Sequence, residues 1–230
     1  MSVSTSSNQG DGAPELVARV AAVMAGYGKP WCMCGGYAVD AWIGRETRDH
    51  GDLDVSVPVQ DQRAIFEHLR GWQLIAHDFP TPGAQSRVEV PGATSRLWDG
   101  TRPIGTTGHI HARPASDDPI PEILGPEAGF WLDILFNDGS SEEWIVSRDP
   151  FISVPMARAV QDSRWGLPTA APEVLLFDKS KYLRLRDKLD FMRLQPRLTE
   201  EQRAWLRDAI ERVGHPWVAE LSTTNDEAMV

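Results

Sequence analysis

Cysteine is almost missing from this 230-residue chain; there are two, Cys32 and Cys34. Two thiols so close in sequence exclude a disulfide framework, so the fold must rest on an apolar core. No stretch approaches the ~18–20 consecutive apolar residues of a membrane-spanning helix. The longest apolar run near the start, residues 20–25, falls inside a helical pattern. A basic head followed by a long apolar segment is also lacking, so no secretory signal is expected and the cytoplasm is the expected compartment. Positive charge is in deficit: 23 lysines and arginines face 33 aspartates and glutamates, a net charge of −10. Proteins that track a nucleic-acid backbone usually carry the opposite sign. The balance disfavours DNA or RNA as partner and is compatible with a cationic small molecule. Tyrosine is scarce, three residues against nine tryptophans. Composition does not separate core tryptophans from pocket-lining ones.

The chain is long enough for one generous domain, or a domain with a small appendage. Residues 1–14 are rich in serine, glycine and asparagine, and 223–230 are similar; both read as disordered tails. Residues 14–27 place Leu16, Val17, Val20, Val23 and Met24 at helical spacing, and Gly28 supplies a stop. A short apolar run, 31–34, meets Gly35-Gly36, and 37–43 look helical. Residues 52–57 alternate with period two and read as a strand, and 61–70 as an amphipathic helix closed by Gly71. From 72 to 146 short alternating runs at 73–76, 86–90, 96–98, 109–112, 130–136 and 144–147 are separated by Pro/Gly clusters, the pattern of an antiparallel sheet region. After Pro155 the strand signals fade. Residues 172–194 read as one long helix with proline in its first turn, and Thr199-x-x-Gln202 has the form of a capping box opening another. His215-Pro216-Trp217 starts a last short helix. The expected fold is α+β, a mixed sheet with flanking helices over 15–155, followed by a helical domain over 156–222.

Two signals carry chemistry. Asp52-x-Asp54 on a strand puts two carboxylates on one face while Leu53 and Val55 turn to the core. Two such carboxylates repel unless a cation sits between them, and Mg²⁺, which takes oxygen ligands and leaves positions open for phosphates, fits. The Gly35-Gly36 pair ahead of a helix lets backbone approach a phosphate. Taken singly, each is commonly only a turn; together, separated by a helix, they favour the metal reading. The second signal is Asp133 inside the apolar run 130–136. A buried carboxylate needs a partner, either an arginine or a metal. A third carboxylate would complete a site where two aspartates hold metal and one activates a hydroxyl.

Here the sequence resembles a family. Gly35-Gly36-Tyr37-Ala38-Val39-Asp40, then Thr47-Arg48-Asp49-His50-Gly51-Asp52-Leu53-Asp54-Val55, is similar to the nucleotidyltransferases of the DNA polymerase β-like superfamily. The similarity is greatest to the branch with aminoglycoside 2''-adenylyltransferases and lincosamide nucleotidyltransferases. Residues 172–177 with Lys179 and Lys181, Arg186-Asp187 with Asp190-Phe191, and His215-Pro216-Trp217 resemble helical motifs of related proteins. The resemblance spans about 15–60 and 170–221 and is not expected to reach residues 72–128. Tyr37 stands where the family carries a tryptophan or similar residue, and Asp178-Lys179 where relatives have Tyr-Lys.

The resemblance implies transfer of AMP from ATP to a hydroxyl of a small antibiotic, an aminoglycoside first. A lincosamide, tRNA or protein acceptor, or a non-catalytic nucleotide-binding module, stands as the alternative. It implies Mg²⁺ on Asp52, Asp54 and Asp133, with Asp133 as general base. Gly35, Gly36, Arg48, His50 and Lys179 would contact the triphosphate. A monomer or homodimer is expected.

Other residues have blander readings. Arg48 and His50 could instead form a loop salt bridge. Lys179 and Lys181, two apart, do not share a helical face. Cys32 and Cys34 read as core. His109-x-His111 has the form of some metal sites but lacks a third ligand in the sequence. Asp187 and Asp190 could bind a cationic acceptor, or pair with Arg184 and Arg186, which is the safer reading.

Overall fold

The computed structural model describes residues 12–78, 94–105, 108–120, 128–146, 149, 151–182 and 184–222. The expected strand at 86–90, most of the N-terminal tail and residues 223–230 lie outside them. Helix α1 (Glu15–Met24) buries Val17, Val20 and Met24, one stripe at helical spacing. Strand β1 (Cys32–Cys34) runs directly into α2 (Gly35–Ile43), which ends where Gly44, at φ 93°, donates its N–H to the Asp40 carbonyl at 2.7 Å. Then follow β2 (Leu53–Pro58), α3 (Gln62–His68), β3 (Trp72–Asp78), β4 (Thr94–Leu97), β5 (His109–Pro114) and β6 (Leu132–Asn137). A ribbon of β7 (Glu143–Ile145) and β8 (Ser153–Pro155) leads through the short α4 (Met156–Ala159) to β9 (Val160–Asp162) and β10 (Pro168–Ala170). The chain closes with α5 (Pro172–Lys179), α6 (Leu185–Leu194), α7 (Glu200–Arg212) and α8 (Val218–Ser222).

The main sheet has the order β4-β3-β5-β6-β2-β1-β10-β9. Pairing is antiparallel through β4, β3, β5 and β6, but β6 lies parallel to β2, and β1 parallel to β10. The sheet is therefore mixed, as an α+β reading requires. On β2 the period of two sorts the residues: Leu53, Val55 and Val57 are wholly buried, while Asp54 and Ser56 face a cleft.

Two sequence expectations change. Strands do not end at Pro155, because β9 and β10 extend the sheet beyond β1. They are three residues each, too short to show an alternating pattern. The helix expected over 172–194 is two helices, α5 and α6, although no glycine or proline marks the break. The first turns off after Lys179, where the Ser180 hydroxyl donates to the Phe177 carbonyl at 2.7 Å and competes with the next helical turn. Thr199 does cap α7: its hydroxyl accepts the Gln202 N–H at 3.2 Å, and its own N–H donates to the Gln202 side chain at 3.0 Å. Phe191 of α6 stacks on Trp217 at 4.3 Å, tying the last helices together. Among the described residues, no helix is long and apolar enough to cross a membrane.

Candidate active site

The site lies along one row of the sheet. Register pairs Cys34 with Asp54 across β1 and β2, Asp54 with Asp133 across β2 and β6, and Asp133 with His111 across β6 and β5. Three strands, β2, β6 and β5, thus bring two carboxylates and an imidazole side by side. Asp52, just before β2, adds a third carboxylate: one ligand atom each from Asp52, His111 and Asp133 lies within 4.8 Å of the others. His111 Nε2 stands 3.7 Å from Asp133 Oδ2.

Gly35 opens α2 at φ 67°, a left-handed conformation that favours glycine. A Cβ there would fall 1.7 Å from Asp54 Oδ2, so the Asp54 carboxylate rests against bare backbone at the start of the helix. Gly36 is bare for a similar reason, since a Cβ would meet His50 Nδ1 at 2.4 Å and Arg48 Nη2 at 2.5 Å.

Burial, then the Asp133 and Asp52 carboxylates, push the Asp54 carboxyl up to about 7. The Asp52, Asp54 and Asp133 carboxylates repel one another, and Lys179 and His50 offset only part of that charge. A divalent cation that prefers oxygen would offset the rest, so the donor set fits Mg²⁺. On β5, burial keeps the His109 imidazole neutral, pushed down to about 4.

Arg48 and His50 turn to carboxylates of the protein. His50 Nε2 lies 2.6 Å from Asp40 Oδ2, and Asp40 also accepts from the Thr47 hydroxyl at 2.6 Å and the Thr47 N–H at 3.1 Å. Asp40 thereby fixes the loop that delivers Asp52 and Asp54, a role the sequence reading missed. Its cue was an acidic residue on an otherwise apolar helix. Arg48 Nη2 donates to Asp190 Oδ2 at 3.3 Å, and Lys179 Nζ reaches the same oxygen at 2.7 Å. Asp187 pairs with Arg184 at 2.5 Å and with Lys179 at 3.9 Å. The Arg48–Asp190–Lys179 chain joins the loop before β2 to α5 and α6 across the site.

A cleft of about 190 Å³ opens between the sheet and these helices. Gly35, Asp54, Ser56, Lys179, Lys181 and Arg184 are among its lining residues. Gly35, Asp54 and Lys179 therefore meet in one cleft, while Gly36, Arg48 and His50 buttress its edge. Lys181 and Arg184, neither of them among the triphosphate contacts expected from sequence, add cations to the same wall. Cys32 and Cys34 are buried free thiols, as expected of core residues.

Residues 16–89 match the family model described as aminoglycoside-2''-adenylyltransferase. The match covers about a third of the chain. The matched segment holds the paired glycines and Asp52-x-Asp54; Asp133 and Lys179 come from beyond it. Among solved structures, the chain is similar to ANT(2'')-Ia in complex with adenylyl-2''-tobramycin, at 13% identity over 86% of this chain and 97% of that one, with a TM-score of 0.49. It is similar to the solution structure of ANT(2'')-Ia at 14% identity, covering 86% and 90%, TM-score 0.47. It is also similar to the lincomycin-bound lincosamide adenylyltransferase LnuA at 14% identity, covering 82% and 98%, TM-score 0.48. No curated protein sequence matches significantly.

Proposed function

We propose that this protein is a nucleotidyltransferase that moves AMP from ATP to a hydroxyl of a small antibiotic, an aminoglycoside first. The observation that carries the reading is the crowding of Asp52 and Asp133 around Asp54, whose carboxylate rests on the bare Gly35 backbone in a cleft walled by Lys179, Lys181 and Arg184. Asp52, Asp54 and Asp133 would hold Mg²⁺, which when bound neutralises triphosphate charge and polarises the α-phosphorus.

The remaining work falls to the chain. Lys181 and Arg184 face the β- and γ-phosphates as point charge and planar fork. Lys179, held by Asp190, sets the distance between α5 and the loop before β2, so the two walls of the cleft stay in register. Asp133 accepts the proton of the attacking hydroxyl. The hydroxyl oxygen forms its bond to the α-phosphorus as the bond to the bridging oxygen breaks, and pyrophosphate leaves. Catalysis of this kind depends on positioning and charge neutralisation, which rigid strands and a helix start provide.

The net charge of −10 supports a polycationic acceptor over a neutral one or an RNA. The cytoplasm, which supplies ATP and keeps Cys32 and Cys34 reduced, fits this reading. The test is pyrophosphate release with Mg²⁺ and ATP across aminoglycosides and lincosamides, with mass spectrometry of the drugs and Asp52→Asn as control. An aminoglycoside heavier by AMP supports the reading. A modified lincosamide moves the acceptor, and no modified drug overturns it in favour of RNA or protein acceptors or a binding module.

A further inference from the structure

Beside the carboxylates stands a second group that nucleotidyl transfer does not use. His109 and His111 lie two apart on β5 and so share a face, and His77 of β3 is the cross-strand partner of His109. The sequence offered His-x-His without a third ligand; the sheet supplies it. His111 Nδ1 and His77 Nε2 are 3.0 Å apart. One ring nitrogen from each of the three residues lies within 4.8 Å of the other two. With Zn–N bonds of ~2.1 Å, tetrahedral ligand nitrogens sit roughly 3.3 Å apart, so the three rings need only small rotations to share an ion. All three are half-buried, on strands rather than loops.

We propose that His77, His109 and His111 form a three-histidine site for a borderline divalent transition metal, adjoining the carboxylate group through His111. Imidazole nitrogen selects zinc, nickel or copper over magnesium, whereas the three aspartates select magnesium. Two neighbouring sites of different hardness can therefore load different ions. Three protein ligands leave a fourth position open, the arrangement that admits water or a substrate amine or hydroxyl. His111 also lies among Asp52 and Asp133, so filling the histidine site fixes the ring beside the carboxylate proposed as base.

The probe is Zn²⁺ alone, added to the metal-free full chain in the presence of excess Mg²⁺. Metal content after desalting and the ¹⁵N shifts of the six histidine side chains are the readouts. The expected result is one tightly held zinc per chain and shifts at His77, His109 and His111, with His50, His68 and His215 unmoved. His77→Gln and His109→Gln should each lose the zinc, and Asp54→Asn should keep it. Failure to retain zinc, unshifted rings in the triad, or retention in both histidine variants would overturn the site. The ring shifts are read on the wild type, so a variant that fails to fold leaves the test intact. Adenylyl transfer plays no part in these readouts, so failure of that reading and failure of this one are distinguishable.

Discussion

Gly35→Ala should separate the folding of this protein from its chemistry. The substitution places a side chain at φ 67°, where the left-handed conformation costs an L-residue about 1–2 kcal/mol. For a chain of this size that lowers the melting temperature by roughly 2–8 °C, leaving it folded at 25 °C. The local effect is larger. The added Cβ falls 1.7 Å from Asp54 Oδ2, where ordinary contact begins at 3.4 Å, so the carboxylate must retreat by about 1.7 Å. Misplacing a catalytic group by about 1 Å can cost on the order of 100-fold in rate. Turnover should therefore fall by about that factor or more while the melt moves by a few degrees. Gly36→Ala is the control. It lacks the left-handed penalty and pushes on His50 and Arg48 rather than Asp54, so its loss of turnover should be smaller. Pyrophosphate release and thermal melts on the same preparations decide the matter. Unchanged turnover in Gly35→Ala, or a larger loss in Gly36→Ala, would refute the claim that the bare backbone at Gly35 seats the Asp54 carboxylate.

Asp54 also predicts a pH dependence. Its folded value of about 7 lies above the ordinary 3.8, so the folded state holds more protons between those limits, and the metal-free protein should lose stability as pH rises through that window. Denaturation midpoints against pH should fall across it, and Asp54→Asn should flatten the fall; a rise would contradict the charge crowding. Lys179→Met removes one of three cations around the buried Asp190, beside Arg48 and Arg193, and should cost about 1–3 kcal/mol. Lys181→Met, at a half-buried position lining the cleft, should cost less, about 1 kcal/mol or below, and weaken ATP binding instead. Urea titrations and nucleotide binding separate the two, and equal stability losses would sink the distinction. Thr199→Ala removes a complete capping box and should lower stability by about 1 kcal/mol in the same titration.

Much of the candidate site stands out in the sequence because its residues break local rules. Asp133 interrupts a strand that is otherwise apolar, and Asp52-x-Asp54 puts charge on alternate positions of another. The pairing of Asp54 with Asp133 was not legible, because parallel register between distant strands leaves no local trace. His77 went unnoticed for the same reason: it is a single histidine near a strand end until β5 is laid beside β3. The split between α5 and α6 escaped because helical propensity continues through it and only the Ser180 hydroxyl marks the stop. Strands β9 and β10 escaped because three residues cannot show a period. Asp40 was quoted within a motif, yet its task of gripping His50 and Thr47 exists only once the loop has folded back.

The most direct test of the central claim is mass spectrometry of a single aminoglycoside incubated with the protein, ATP and Mg²⁺, run beside Asp133→Asn. A drug heavier by one AMP with the wild type, stoichiometric with pyrophosphate, is expected, and none with the variant. Equal adenylylation by Asp133→Asn would contradict the assignment of the base. An unmodified drug panel with intact Mg²⁺-dependent ATP binding would contradict the reaction itself.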